Sequence, residues 1–349
     1  MDLALYDPDL GYYASGRAKI GRQGDFYTNV SVGSLFGRLL AGQFREMWHR
    51  LGKPSPLRII EQGAHDGRFA ADVLTTLLPD LPLNYTIVEP SPILRDQQKI
   101  TLAPFLDAVQ WVEDLEAIAP CDGIHFSNEL IDAMPFHIMQ SSQGTWQELR
   151  VDNQRGEFVF QPAKTGPDLR SEEQNLPTRP DGTLIELRPG VRSWTDALSR
   201  ILQTGYILVV DYGFPRQELH ASHRREGTFS CYQNHRRDAE PLLAPGEKDI
   251  TAHVDFSALA EAAMENGFQI EGFTDQHHFL VGAANSLLQS LEGPPTRASQ
   301  KTLRTLRSLL HPENLGTRFH YLALTKGIPM GEPLAGFRHG RDPESILFG

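Results

Sequence analysis

Two patterns of apolar residues alternate along the chain, one typical of helices and one typical of buried strands. Runs in which apolar residues recur every three or four positions predict helices at 33–51, 67–78, 91–102, 191–203 and 254–267. Short apolar runs, which are typical of buried strands, occur at 57–62, 84–89, 123–128, 205–213, 269–273 and 320–325. Strands that alternate with helices at this spacing predict an α/β fold with a mostly parallel, doubly wound sheet.

Two segments interrupt this alternation. Residues 133–182 contain WQELRVDNQRGEFVF, whose alternating pattern around a turn predicts a β-hairpin, followed by a polar, proline-rich stretch. Residues 212–252 show little periodicity, and so long an irregular segment inside a domain is usually functional or disordered. We therefore expect an N-terminal cover and helix at 1–52, and a Rossmann-like domain at 53–349 that carries both segments as insertions on its substrate side.

Composition narrows the possible functions. The 349 residues are 40% hydrophobic, enough for a sizeable core, and the net charge of −11 argues against nucleic-acid binding. No apolar run reaches the roughly 18 residues of a membrane span, and the first residues do not resemble a secretory signal. The two cysteines suit a reduced, cytoplasmic setting, and no histidine or cysteine spacing predicts a metal site.

The first strand, turn and helix, RIIEQGAHDGRFA, carry the first candidate site. Gly63 and Gly67 let the backbone approach a ligand closely, and the following helix offers free N–H groups. The second strand ends at Glu89, where doubly wound nucleotide folds place a carboxylate that accepts both ribose hydroxyls. A solvated acid at a strand end is the alternative, but the glycine turn upstream favours ribose binding.

Acidic residues around the turn indicate which nucleotide binds. A dinucleotide enzyme would place pyrophosphate on a G-x-G-x-x-G turn, whereas this turn reads E-Q-G-A-H-D-G. Glu61, Asp66 and Asp72 would repel pyrophosphate and attract a cation. The sequence therefore favours S-adenosyl-L-methionine, with its sulfonium and ammonium groups, over NAD.

The strand at 123–128 runs into SNELIDAMPFH, which gathers polar residues at its carboxyl end. Ligands of open α/β sheets bind at that edge, so Asn128, Glu129 and Asp132 are candidate substrate or catalytic residues. Asn128 and Asp132 have an alternative role as caps of a following helix. Glu129 has no basic residue nearby in sequence, and its carboxylate could hold a guanidinium or ammonium by charge-assisted hydrogen bonds.

Several motifs together resemble the MidA-type methyltransferases. They are GYYASGRAKIGRQGDFYTNVSVGSLFG, EQGAHDGRFAADVL, VEPSPILRDQQ, SNELIDAMPFH, DYG and DITAHVDF, and they span nearly the whole chain. The family includes the mitochondrial complex I assembly factor that methylates an arginine. The resemblance implies a class I methyltransferase fold, S-adenosyl-L-methionine as methyl donor and, for some members, protein-arginine methylation.

The resemblance also bears on the stretch GDFYTNV at 24–30, which is either a flap over a ligand or an ordinary surface loop. In the family this stretch lies against the cofactor pocket, which implies a cover formed by Asp25, Phe26, Tyr27 and Thr28. The chain departs from the family at His65, where a glycine is usual. That departure puts the fit of the methionine end in question, although histidine tolerates a positive φ better than most residues.

The complete hypothesis is methyl transfer to an arginine side chain of a protein, with a complex I subunit as one candidate partner. Glu61, Gly63, His65 and Gly67 would contact the methionine end, Glu89 the ribose, and Asp114 with Leu115 the adenine rim. Glu129, with Asn128 and Asp132, would receive the substrate. The alternatives are a small-molecule methyltransferase of the same fold and a non-catalytic assembly factor.

Overall fold

The structure is a computed structural model that describes residues 1–16, 29–233, 236–291, 294, 296–311 and 316–349. The strands of these residues are, in chain order, β1 (Leu57–Gln62), β2 (Leu83–Val88), β3 (Val109–Val112), β4 (Cys121–Asn128), β5 (His137–Ser142), β6 (Thr145–Gln154), β7 (Glu157–Ala163), β8 (Leu184–Leu187), β9 (Leu202–Phe214), β10 (Ser230–Gln233), β11 (Arg236–Asp238), β12 (Asp249–Thr251), β13 (Val254–Asp255), β14 (Gln269–Asp275) and β15 (Phe319–Lys326). The helices are α1 (Asp2–Tyr6), α2 (Leu35–Arg50), α3 (Arg68–Leu77), α4 (Pro92–Thr101), α5 (Arg170–Gln174), α6 (Gly190–Ile201), α7 (Arg216–Leu219), α8 (Phe256–Glu265), α9 (Gln276–Ala283), α10 (Asn285–Ser290), α11 (Arg297–Leu310) and α12 (Pro343–Phe348).

The central sheet has the strand order β14-β15-β9-β4-β1-β2-β3, and β13 adds to β9. Strands β1 to β4 and β9 run parallel, whereas β15 lies antiparallel between β9 and β14. The predicted mostly parallel sheet is therefore confirmed. The chain moves outward in one direction from β1 through β2 to β3 and in the other from β4, so the carboxyl ends of β1 and β4 flank the crevice where such sheets bind ligands.

Helices cover both faces of this sheet, which explains why its strands read as continuous apolar runs. In β9, Leu208 and Val210 belong to the core that contains α2 and α3. The alternate residues Ile207 and Val209 belong to the core that contains α6 and α8. This division follows from the two-residue period of a strand, which turns successive side chains to opposite faces.

The two interrupting segments form small sheets. The predicted hairpin is confirmed as β6 and β7, and it lies in a four-stranded antiparallel sheet of order β7-β6-β5-β8. The segment that lacked periodicity contains β10, β11 and β12, which are each three or four residues long and therefore too short to show a pattern. Leu5 and Tyr12 of the N-terminal segment pack with Cys231 and Ile250 of this second small sheet.

In the described ranges, no helix has both the length and the apolar character required to cross a membrane.

Candidate active site

A cavity of about 1200 Å³ opens at the carboxyl ends of the central strands. Its walls include seven of the candidate site residues that the sequence singled out: Glu61, Gly63, His65, Glu89, Asn128, Glu129 and Asp132. One half is formed by the turn after β1 and the end of β2, and we call it the donor half. The other half is formed by the end of β4, the N-terminal segment and the second small sheet, and we call it the acceptor half.

The turn after β1 has the backbone that the glycines predicted. Gly63 has a φ of 82° and Gly67 a φ of 79°, so both adopt the left-handed region that favours glycine. His65 lies between them with a φ of 46°, the conformation in which a glycine would be unstrained. The turn therefore keeps a glycine-type path with one histidine in it, and the ring of that histidine lines the cavity.

Glu61 is buried at the end of β1 and accepts a hydrogen bond of 2.8 Å from the Tyr85 hydroxyl. Burial raises the pKa of this carboxyl to about 8; the Tyr85 hydrogen bond lowers it and the nearby Asp66 raises it. No sequence pattern identified Tyr85, because it reads only as an apolar position of β2. A positively charged ligand group in the cavity would stabilise the ionised form of Glu61.

Glu89 is held in place by two donors, one from the residue that caps α4 and one from within that helix. Its Oε1 accepts the backbone N–H of Ser91 at 2.9 Å, and its Oε2 accepts from Nε2 of Gln98 at 3.1 Å. Gln98 is fully buried and donates also to the His65 carbonyl at 2.8 Å, so one amide connects the ribose candidate to the glycine turn. Gln98 could not be identified from the sequence, because it occupies an ordinary polar position of a helix.

Three of the predicted cofactor residues are not among those that line the cavity. Gly67 precedes α3 behind the turn. Asp114 accepts the backbone N–H of Ala117 at 2.9 Å, and Leu115 is buried in the core on the α6 side. The predicted contact of Asp114 and Leu115 with adenine stays a prediction. Asp25, Phe26, Tyr27 and Thr28 lie outside the described residues, whereas Val30 just after them lines the cavity.

Glu129 occupies the centre of the acceptor half. It has a φ of 53°, which is unusual for a residue with a side chain, and its N–H donates to the Val210 carbonyl at 2.9 Å. Its Oε1 accepts from Nδ2 of Asn128 at 2.9 Å. Burial raises the pKa of Glu129 well above its ordinary value, and the neighbouring carboxylates of Asp132, Asp211 and Asp249 raise it further.

Asp211 fixes the loop that follows β4. Its Oδ2 accepts the N–H groups of Leu130, Ile131 and Asp132 at 3.2, 2.8 and 3.3 Å. The segment 129–136 between β4 and β5 forms turns and no helix, so Asn128 and Asp132 do not act as helix caps. The role of Asp211, which belongs to the DYG motif, could not be predicted from the sequence because its partners are some 80 residues away along the chain.

Tyrosine rings complete the acceptor half. Tyr6, Tyr13, Tyr212 and Tyr232 all line the cavity, and the Tyr13 hydroxyl donates to Oδ1 of the buried Asp249 at 2.7 Å. The rings of Tyr6 and Tyr13 stack with centroids 5.8 Å apart. Aromatic faces and carboxylates both attract cations, so this half suits a positively charged, planar group. In the described ranges, no three histidine, cysteine or acidic side chains are arranged to hold a metal ion.

Comparisons with known proteins point in the same direction. A model of a family of S-adenosyl-L-methionine-dependent methyltransferases matches residues 39–274. The mitochondrial protein arginine methyltransferase NDUFAF7 of Homo sapiens is 27% identical, covering 93% of this chain and 78% of that protein. The NDUFAF7 homolog of Drosophila melanogaster is 28% identical over 95% of this chain and 83% of its own length. A crystal structure from Burkholderia thailandensis with bound S-adenosyl-homocysteine is 29% identical with a TM-score of 0.89, covering 99% of this chain and 90% of that one.

Proposed function

The chain belongs to the family of S-adenosyl-L-methionine-dependent methyltransferases, and from this membership we propose that it methylates an arginine side chain of a protein. The class I fold and the methyl donor expected from the sequence are confirmed by the related structure with bound S-adenosyl-homocysteine. The observation that carries the arginine proposal is the half-buried Glu129 carboxyl in a cavity half lined by tyrosines and further carboxylates.

The donor half fits the methyl donor. Gly63, with its positive φ and no side chain, leaves room for the methionine end beside the turn. Glu61 is available to the ammonium group, and both oxygens of Glu89 lie at the end of β2 where ribose hydroxyls bind in related folds. When bound, the donor supplies a methyl group on a positively charged sulfur that a nucleophile can attack.

Glu129 would orient the acceptor. A guanidinium is a cation with a pKa above about 12, so its nitrogen loses a proton with or after attack. Charge-assisted hydrogen bonds from the far nitrogens to the Glu129 carboxylate would concentrate the positive charge there and leave the near nitrogen more nucleophilic. Entry of the cation also favours the ionised form of Glu129, whose pKa is raised by burial and by the neighbouring carboxylates.

A protein is the proposed carrier of this arginine, since relatives that align with nearly the whole chain are named protein arginine methyltransferases. By resemblance to the family, a subunit of respiratory complex I is one partner we propose. No part of the proposal needs a metal, because the transfer requires alignment and exclusion of water.

The test is methylation in a native cell lysate. Purified protein and isotopically labelled donor are added, and mass spectrometry then searches for labelled methylarginine. We expect label on arginine in one or a few proteins, and none with a Glu89→Ala variant that binds the donor poorly. Label found only in small molecules would favour a small-molecule methyltransferase. Absence of any label would favour a non-catalytic assembly factor.

A further inference from the structure

We propose that Glu186 in β8 and Arg188, which directly follows that strand, position the acceptor wall of the cavity. We define the acceptor wall as three loop segments, 132–134 after β4, 228–229 before β10 and 252–253 before β13. Residues from each segment line the acceptor half. What the wall binds rests on the proposed function, but the contacts that hold the wall do not.

Arg188 connects two of these segments through four backbone carbonyls. Its Nε donates to Met134 at 3.2 Å, and its Nη2 donates to Asp132 at 3.2 Å and to Ala252 at 2.9 Å. Its Nη1 donates to His253 at 3.4 Å. A guanidinium offers five N–H donors in a fixed fork, which a lysine ammonium cannot reproduce. The side chain therefore fixes the separation of the two loops as well as their positions.

Glu186 holds the third segment. Its Oε1 accepts the N–H groups of Thr228 at 2.7 Å and Phe229 at 3.0 Å, and its Oε2 accepts the Thr228 hydroxyl at 3.1 Å. Thr228 Oγ1 in turn accepts the N–H of His253 at 3.0 Å, which links this segment to the one that Arg188 holds. Gly227 has a φ of 70°, and a Cβ there would lie 2.3 Å from Glu186 Oε1, so a larger residue would displace this carboxylate.

The two side chains can act together because they are only two residues apart where β8 ends. Arg188 is also a half-buried cation whose charge acts on the nearby carboxyls of Asp132 and Asp211. Burial raises the pKa of Asp132 to about 6, and the Arg188 guanidinium acts against that rise. Removing the guanidinium would leave buried carbonyls without their donor and Asp132 without its nearest positive charge.

None of these contacts reaches the donor half. The hydrogen bonds that arrange the donor half come from Tyr85, Ser91 and Gln98, all on β2 or at α4. Disturbing β8 should therefore alter acceptor binding and leave donor binding intact. Replacing a residue that only stabilised the fold would weaken acceptor binding and donor binding alike.

The experiment compares Arg188→Lys and Glu186→Gln with the parent and with Arg192→Lys. Arg192 is a matched control because it lies on α6, pairs with Glu172 and Glu265, and is 49% exposed. The readouts are the affinity for S-adenosyl-homocysteine, backbone hydrogen exchange in the three wall segments, and the KM and kcat for a methylated protein identified from lysate.

For Arg188→Lys we expect donor affinity within about twofold of the parent, since the donor half is untouched. Exchange in the three wall segments should accelerate about tenfold or more. The acceptor KM should rise by about tenfold, with a smaller change in kcat. Those magnitudes correspond to losing roughly one hydrogen bond to a charged group. Glu186→Gln should act mainly on 228–229 and 252–253, and the control should change none of these readouts.

Loss of donor affinity equal to the loss for the acceptor would overturn the proposal, as would unchanged exchange in the wall segments. If Arg188→Lys fails to fold, the same readouts on Glu186→Gln decide. If the parent methylates no arginine, the proposed function fails. The positioning inference is then still decided by exchange in the wall and by donor affinity.

Discussion

Replacing Glu89 by alanine should weaken binding of the methyl donor and of its demethylated product. Glu89 is only 5% exposed, and the N–H groups of Ser91 and Gln98 orient its carboxylate at the cavity. A hydrogen bond to a charged group contributes about 1.5–3 kcal/mol, and we take the loss of one such hydrogen bond as the net change in binding free energy. The dissociation constant should therefore rise by about 10- to 150-fold.

Isothermal titration with S-adenosyl-homocysteine measures this change, and NAD serves as the ligand expected not to bind. Glu116→Ala is the matched control, because Glu116 is an exposed acid on the same side of the central sheet, just after β3. A folded Glu89→Ala variant with the parent dissociation constant would refute the ribose assignment. Tight NAD binding would refute the reasoning from the acidic turn.

Two further predictions concern the turn after β1. His65→Gly should be more stable than His65→Ala by about 1 kcal/mol, since both remove the ring but only glycine relieves the backbone strain at a φ of 46°. Equal free energies of unfolding in chemical denaturation would contradict this prediction. Burial raises the pKa of Glu61 to about 8, so its carboxyl becomes ionised as the pH rises from 6 to 8. Affinity for S-adenosyl-homocysteine, which carries an ammonium group, should therefore increase by up to about tenfold per pH unit over that range. Glu61→Gln should remove this dependence on pH. In the ligand-free protein the sign is reversed: a folded pKa above the ordinary value of 4.5 means that the free energy of unfolding falls as the pH rises from about 4.5 to 8.

The central strands and helices could be predicted because local patterns determine them. β1 begins and ends where its apolar run does, and the helix predicted at 91–102 is α4, which Ser91 caps with Pro92 at the first position. The strand ends also placed Glu61, Glu89 and Glu129 in one cavity. This follows because parallel strands bring their carboxyl ends to the same edge of a sheet.

The partners of these residues could not be predicted from local patterns. Tyr13 and Asp249 are 236 positions apart, and only folding of the second small sheet against the N-terminus brings them together. Arg188 lies 54 and 64 positions from two of the carbonyls it binds. Gln98 shows no signal in sequence, because a buried polar residue of a helix resembles an exposed one until its partners are known.

The central claim is that the Glu129 carboxylate makes an arginine side chain reactive, and Glu129→Gln tests it most directly. The amide keeps the shape and removes the charge, so S-adenosyl-homocysteine should bind as it does to the parent. Transfer of labelled methyl to the arginine found in lysate should fall by about two orders of magnitude or more, which corresponds to roughly 3 kcal/mol of transition-state stabilisation. Glu116→Gln should transfer at the parent rate. If Glu129→Gln also does so, the account of the acceptor site is contradicted.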